Sequence, residues 1–231
     1  MTFRALALAA AISASAALSA AAQTISTGTG TPYWSPFGAP NTATYGETFF
    51  APTGYDQLDQ FTFQFQGYDP GSGDDGADLQ FSAYLMGWDG TKATGPILYQ
   101  SALTDGTSGG PTTFTFNTAG TAVTPGTLYV AFVNASQFIS DNPTSTAEMQ
   151  AIDGVTPIDG GSFVYYNNGA DFSLLTTETW DVTGISPDLA FSATFSNGAP
   201  VVPEPATLPL LGTGLVGLVG MARRRKSRTA A

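Results

Sequence analysis

Residues 42–198 are expected to form a single all-β domain, a jelly-roll-like β-sandwich. Three observations predict it. Apolar and polar residues alternate strictly over several short runs, the period of a half-buried strand. The runs are separated by clusters of Gly, Pro, Asp, Asn and Ser, which favour turns. No stretch between residues 23 and 202 carries a sustained helical period, and no repeat of fixed length points to a propeller or solenoid.

Taken in order, residues 23–41 are rich in Thr, Gly and Pro and read as an irregular N-terminal arm, with Tyr33, Trp34 and Phe37 tucked onto the domain. Residues 45–51 hold aromatic and β-favouring side chains. Residues 58–66 place Phe61, Phe63 and Phe65 between Thr62, Gln64 and Gln66, and residues 79–85 repeat the pattern with Leu79, Phe81, Ala83 and Leu85. Further strands are expected over 97–101, 112–117, 128–134, 162–166 and 189–196. Residues 145–152 are the one candidate for a short helix. Side chains two apart on a strand share a face. Leu58, the Phe trio, Leu79, Phe81, Ala83, Leu85, Leu128, Val130, Phe132, Phe191 and Phe195 should therefore point inward. Leu58 is out of phase with Phe61 and requires a bulge or bend between them.

Charge is sharply segregated. Of seven basic residues, Arg4 lies near the start and five lie in the last nine positions, so Lys92 is the sole cation between residues 23 and 202. Seventeen of the 18 acidic residues fall in that span, leaving it near −16. Such a surface repels nucleic acid and anionic membranes. The chain has no Cys and no His, which excludes disulfides, Ser-His-Asp triads, Cys-His dyads and His-ligated zinc. Enzymatic chemistry would have to run on carboxylates, and a non-enzymatic role is the expectation.

Two constellations are candidates for binding. Residues 69–78 bring four Asp and three Gly together, and Asp74, Asp75 and Asp78 offer oxygens of the kind calcium takes. The spacing lacks the EF-hand pattern, and a solvated hairpin loop is the competing reading. Residues 167–171, Asn-Asn-Gly-Ala-Asp, form a second oxygen-rich turn. Among the aromatics Trp88 stands out as a sugar-stacking candidate, because Gly87 and Asp89-Gly90 place it at a strand end. Tyr84, Tyr99, Tyr165, Tyr166 and Trp180 could extend the platform, or pack into the sandwich. A pair of carboxylates facing each other in a cleft would instead serve glycoside hydrolysis.

Both ends read as processing segments. Residues 1–22 have Arg4 before an apolar run and a small-residue site, Ala20-Ala21-Ala22, before Gln23, as in a secretory signal peptide served by the Sec machinery. Residues 199–231 form the tail. Pro203 and Pro205 make Pro-Glu-Pro a stiff, extended strip around Glu204. Residues 208–222 are uncharged; as a helix they would span about 22 Å against a hydrocarbon core of about 30 Å, a gap that tilt and snorkelling can close. A basic cluster over 223–228, with Arg223, Arg224 and Arg225 at its head, follows as a cytoplasmic stop.

The order Val-Pro-Glu-Pro, short apolar helix, Arg-Arg-Arg-Lys resembles the PEP-CTERM sorting signal of Gram-negative bacteria over residues 202–227. The resemblance implies export across the inner membrane and transient anchoring by the C-terminal helix. It also implies recognition near Pro203, Glu204 and Pro205 by an exosortase-type membrane enzyme, and release toward the cell surface or extracellular matrix. The middle of the chain is loosely similar to ectodomains of some PEP-CTERM proteins, a likeness that carries no activity. The function expected is that of a non-enzymatic surface or matrix protein associated with exopolysaccharide. The alternatives are a calcium-assisted carbohydrate-binding module and a carboxylate-only glycosidase. Apart from calcium at the Asp74 cluster, no cofactor is expected.

Overall fold

Alternation in the longest Phe-rich strand sets the geometry. Phe61 and Phe63 are fully enclosed and Phe65 nearly so, while Thr62, Gln64 and Gln66 are half-buried on the other side. The computed structural model describes residues 22–29, 33–38, 42–67, 79–107, 110–138, 145–152, 158–182 and 188–198. In chain order the elements are β1 (Gln23–Ser26), β2 (Tyr33–Gly38), β3 (Thr44–Phe50), β4 (Gln57–Gly67), β5 (Gln80–Trp88), β6 (Ala93–Gln100) and β7 (Thr104–Asp105). They continue with β8 (Thr112–Ala122), β9 (Leu128–Asn134), β10 (Thr146–Ile152), β11 (Ser162–Tyr166), α1 (Leu174–Thr177), β12 (Asp181–Val182), β13 (Asp188–Leu189) and β14 (Phe191–Ser196). A compact unit closes at Gly198; residues 199–231 form a second unit, outside the described residues.

Two antiparallel sheets of seven strands each pack face to face, the all-β sandwich expected. In the first, β4 pairs with β8 along one side; on its other side β14 takes the first part of the strand and β10 the last. Strand β1 flanks β14, and β2 and β13 flank β10. The second runs β12-β11-β3-β9-β5-β6, with β7 also on β5.

The inner faces enclose an aromatic core: Phe37, Phe49, Phe61, Phe63, Phe65, Phe81, Phe191 and Phe195 are all at most 1% exposed. Their rings meet at centroid distances such as 5.1 Å for Phe65–Phe81 and 5.3 Å for Phe63–Phe191. Each such ring contributes about 1.5–3 kcal/mol by burial, and a well-placed aromatic pair about 0.5–1.5 kcal/mol more.

The molecule has a second core that alternation alone does not reveal. Strands β5 and β9 are buried on both faces. Phe81, Ala83, Leu85, Tyr129, Ala131 and Val133 face the main core; Tyr84, Met86, Trp88, Val130 and Phe132 face away from it. The segment around α1 covers that outer face with Leu175 and Trp180. Trp180 is held there by its N–H to Thr91 O at 2.9 Å and by Nε1 donating to Leu175 O at 2.8 Å. Val130 and Phe132 are thus buried as expected but in the other layer, and Leu128 is half-buried against the same cluster.

Two further expectations are corrected. Residues 145–152 are not helical: β10 is a strand, with Ala147, Met149 and Ala151 inward and its partners β2, β4 and β13 supplying the ladder. The N-terminal arm is not irregular throughout, since residues 23–26 and 33–38 are strands of the first sheet. The bulge required by Leu58 is present: the register shifts between Leu58 and Gln60 against β8, and between Thr194 and Phe195 on β14. There Thr118 Oγ1 donates to Leu58 O, Asp59 Oδ1 accepts from Ser196 Oγ at 2.8 Å, and Ala119 takes φ 54°.

Candidate functional site

The outer face of the first sheet is built by the same alternation that buries the Phe residues. Strand registers place Ser26, Ser192, Thr62 and Thr115 in one row across β1, β14, β4 and β8. Thr24, Thr194, Gln60 and Asn117 form the next row. Thr24 and Thr194 share a hydrogen bond of 3.0 Å, and Thr62 and Ser192 one of 2.7 Å. These eight side chains carry no charge, in a domain that is otherwise strongly acidic. A shallow groove of about 90 Å³ crosses the face, lined in part by Ser26, Thr62, Gln64, Thr113 and Ser192. Gln64 Oε1 lies there without a hydrogen-bond partner. The face therefore offers hydroxyl and amide donors and acceptors at strand spacing, about 4.8 Å between neighbours within a row.

A larger cavity of about 460 Å³ lies among Ile25, Phe50, Pro52 and Gly126, with Asp159 its one charged lining residue among those described.

Trp88, the sugar-stacking candidate, is 8% exposed; its ring packs edge to face on Trp180 at 5.3 Å and 77°. Tyr84 and Trp180 are buried beside it. A stacking platform needs a free ring face, and these rings spend theirs on the second core. The strand-end position of Trp88 was legible, but not the segment that covers it.

Asp74, Asp75 and Asp78 lie outside the described residues, as do Pro203, Glu204, Pro205, Arg223, Arg224, Arg225 and the expected helix over 208–222. Among the described residues no helix is long and apolar enough to cross a membrane, and no group of three acidic side chains gathers to hold a metal. In the turn 167–171 the side-chain oxygens are engaged internally. Asn168 Oδ1 accepts from Thr44 Oγ1 at 2.7 Å and from Asn134 Nδ2 at 3.3 Å. Asp171 Oδ1 accepts from Ser173 N at 2.9 Å and Ser173 Oγ at 2.6 Å, bonds that hold its carboxyl below the usual range. This is the wiring of a fixed turn.

Sequence reading missed the least ordinary carboxylate. Glu47 has no exposed surface and sits on the inward face of β3 with Tyr45 and Phe49. Leu189 N–H donates to its Oε2 at 2.9 Å. Burial, then the nearby charge of Asp188, push its pKa well above the carboxylate range, and main-chain N–H groups of Leu189 and Ser162 offset part of that. Asp188 is 3% exposed, and burial raises its pKa as well. The alternation of Tyr45, Glu47 and Phe49 marks position 47 as inward, the signal that could have found it. With so little surface, the pair offers no open cleft to a glycoside.

The model of the PEP-CTERM protein-sorting motif matches residues 201–226. The segment holds the Pro-Glu-Pro strip, the apolar run and the basic head, and it marks a chain exported and sorted through an exosortase at the membrane toward the cell surface. No curated protein matches the sequence. Two solved structures resemble the fold. One holds the cysteine protease and lectin-like domains of Cwp84, a surface layer associated protein of Clostridium difficile, at 11% identity and TM-score 0.45, covering 68% of this chain and 33% of that one. The other is a clostridial Cwp84 cysteine protease variant after propeptide cleavage, at 11% identity and TM-score 0.44, covering 79% and 38%. The chain thus spans about a third of the length of these two structures.

Proposed function

We propose that this chain is a non-enzymatic component of the cell surface or extracellular matrix, cut at its tail by an exosortase-type enzyme, whose sandwich associates with exopolysaccharide. The match of residues 201–226 to the sorting motif carries the reading, because it fixes the route by which the chain is handled. The two uncharged rows on the outer face of the first sheet support the choice of ligand. A neutral polysaccharide presents hydroxyls that can donate and accept, and it meets no repulsion from the acidic surroundings. A polyanionic polymer would be repelled by a domain near −16 unless cations bridge the two.

Affinity electrophoresis through gels cast with neutral or with acidic polysaccharide tests this. Retardation is expected in at least one neutral gel. Thr62→Glu with Thr115→Glu, which places two charges in the central row, should weaken it at least tenfold, since a carboxylate desolvated without a partner is strongly disfavoured. Free migration in every neutral gel would sink the polysaccharide reading.

A further inference from the structure

Glu47 and Asp188 present a charge problem that the described protein groups leave unsolved. Both are buried, and each keeps one oxygen, Glu47 Oε1 and Asp188 Oδ2, without a hydrogen-bond partner. They stand side by side: Leu189 N–H, one residue on from Asp188, donates to Glu47 Oε2 at 2.9 Å. Buried carboxylates are normally paired with a cation or bound to a metal. Lys92 cannot serve: it is the sole Lys or Arg between residues 23 and 202, and its Nζ donates to Thr177 O at 3.3 Å, at the segment covering the outer face of the second sheet. A proton shared between the two carboxyls would remove one charge and leave the other buried, with no cation beside it among the described residues.

We infer that Glu47 Oε1 and Asp188 Oδ2 are two ligands of a buried divalent cation that ties β3 of the second sheet to β13 of the first. The donors are all oxygen and the chain has no His or Cys, so the ion is a hard one of the calcium class. No third acidic side chain joins the pair among the described residues, so main-chain carbonyls and water complete the shell. Such a shell suits weak binding, with Kd on the order of 10⁻⁴–10⁻³ M as in extracellular modules. The site is separate from the sheet face assigned to polysaccharide, and neither reading depends on the other.

The test uses the full chain in mild detergent, stripped with chelator, then titrated with calcium chloride while bound calcium and the melting temperature are followed. One bound calcium per chain and a saturable rise in melting temperature are expected, because an ion that binds the folded state alone stabilises it by mass action. Glu47→Gln and Asp188→Asn should each abolish both effects, while the combined change of Asp74, Asp75 and Asp78 to Asn should leave them. Wild type binding no calcium overturns the inference. So does binding that survives both single variants, or that is lost only in the triple one.

If Glu47→Gln fails to fold, Asp188→Asn decides: calcium bound as in wild type after that change would place the ion elsewhere.

Discussion

Phe63 and Gln64 are neighbours in β4 with opposite environments. Phe63 is fully enclosed against Phe61 and Phe191, and Gln64 lines the outer groove. Phe63→Ala should cost about 3–5 kcal/mol, the lost transfer energy plus a cavity the surrounding rings cannot close. Gln64→Ala should cost about 0.5 kcal/mol or less. Urea midpoints compare the two, and a larger loss for Gln64→Ala would reverse the register of β4. Glu47 acts through pH. Folded, it holds its proton to higher pH than the unfolded chain does. Between the ordinary carboxylate pKa and the raised value the native state binds more protons, so stability falls as pH rises through that window. In chelator-treated protein Glu47→Gln should remove this part of the slope above the ordinary carboxylate pKa. An unchanged slope would mean that Glu47 does not hold its proton as the geometry requires.

At the scale of elements, strands with strict alternation were legible because their pattern has one interpretation. Strand β4 appears where the alternation of Phe61, Phe63 and Phe65 places it, and β9 and β11 appear where the unbroken apolar runs Tyr-Val-Ala-Phe and Phe-Val-Tyr do. Strand β10 was misread because Ala, Glu, Met and Gln favour helices, and that weak preference loses to a ladder with three partners. Its alternation, Ala147, Met149 and Ala151 against Glu148 and Gln150, was in the sequence all along. The N-terminal strands escaped for another reason: β1 and β2 are short and Gly- and Pro-flanked, and pairing with β14 and β10, far along the chain, defines them. The second core was hidden by the same non-local logic, since Val130 and Phe132 are apolar whichever layer they face. It also makes a prediction at its own scale. Trp180 is 2% exposed and contacts both Trp88 and Phe132. Trp180→Ala should lower stability by about 3–5 kcal/mol and free the segment around α1. Faster amide exchange confined to residues 172–182 and to the outer faces of β5 and β9 would show it; protection equal to wild type would deny that the segment is held by this ring.

At the scale of the whole molecule, charge and address fit together. Six of the seven cations lie near the start and at the end, where the expected signal peptide and sorting tail would use them, and the span between holds only Lys92 against 17 acids. The sorting motif was legible because its physics is local: two prolines, an apolar run and a basic stop in fixed order, none of which depends on the fold. The face proposed for polysaccharide was not, because its rows exist only once β1, β14, β4 and β8 are aligned across more than 100 residues of chain. If the tail is a processing signal, the mature protein keeps the acidic sandwich and sheds the cations. The exported form should begin near Gln23 and lack residues 223–231, and its net charge should approach −17, or −16 if the cut also removes Glu204, rather than the −11 of the full chain. Intact-mass spectrometry of protein recovered from the cell surface or medium reads both ends at once, and isoelectric focusing should show the matching acidic shift. Replacing Pro203, Glu204 and Pro205 together by Ala should leave the sandwich folded but retain the basic tail in the membrane fraction. Recovery of surface protein with residues 223–231 still attached would remove the processing step and the exosortase with it.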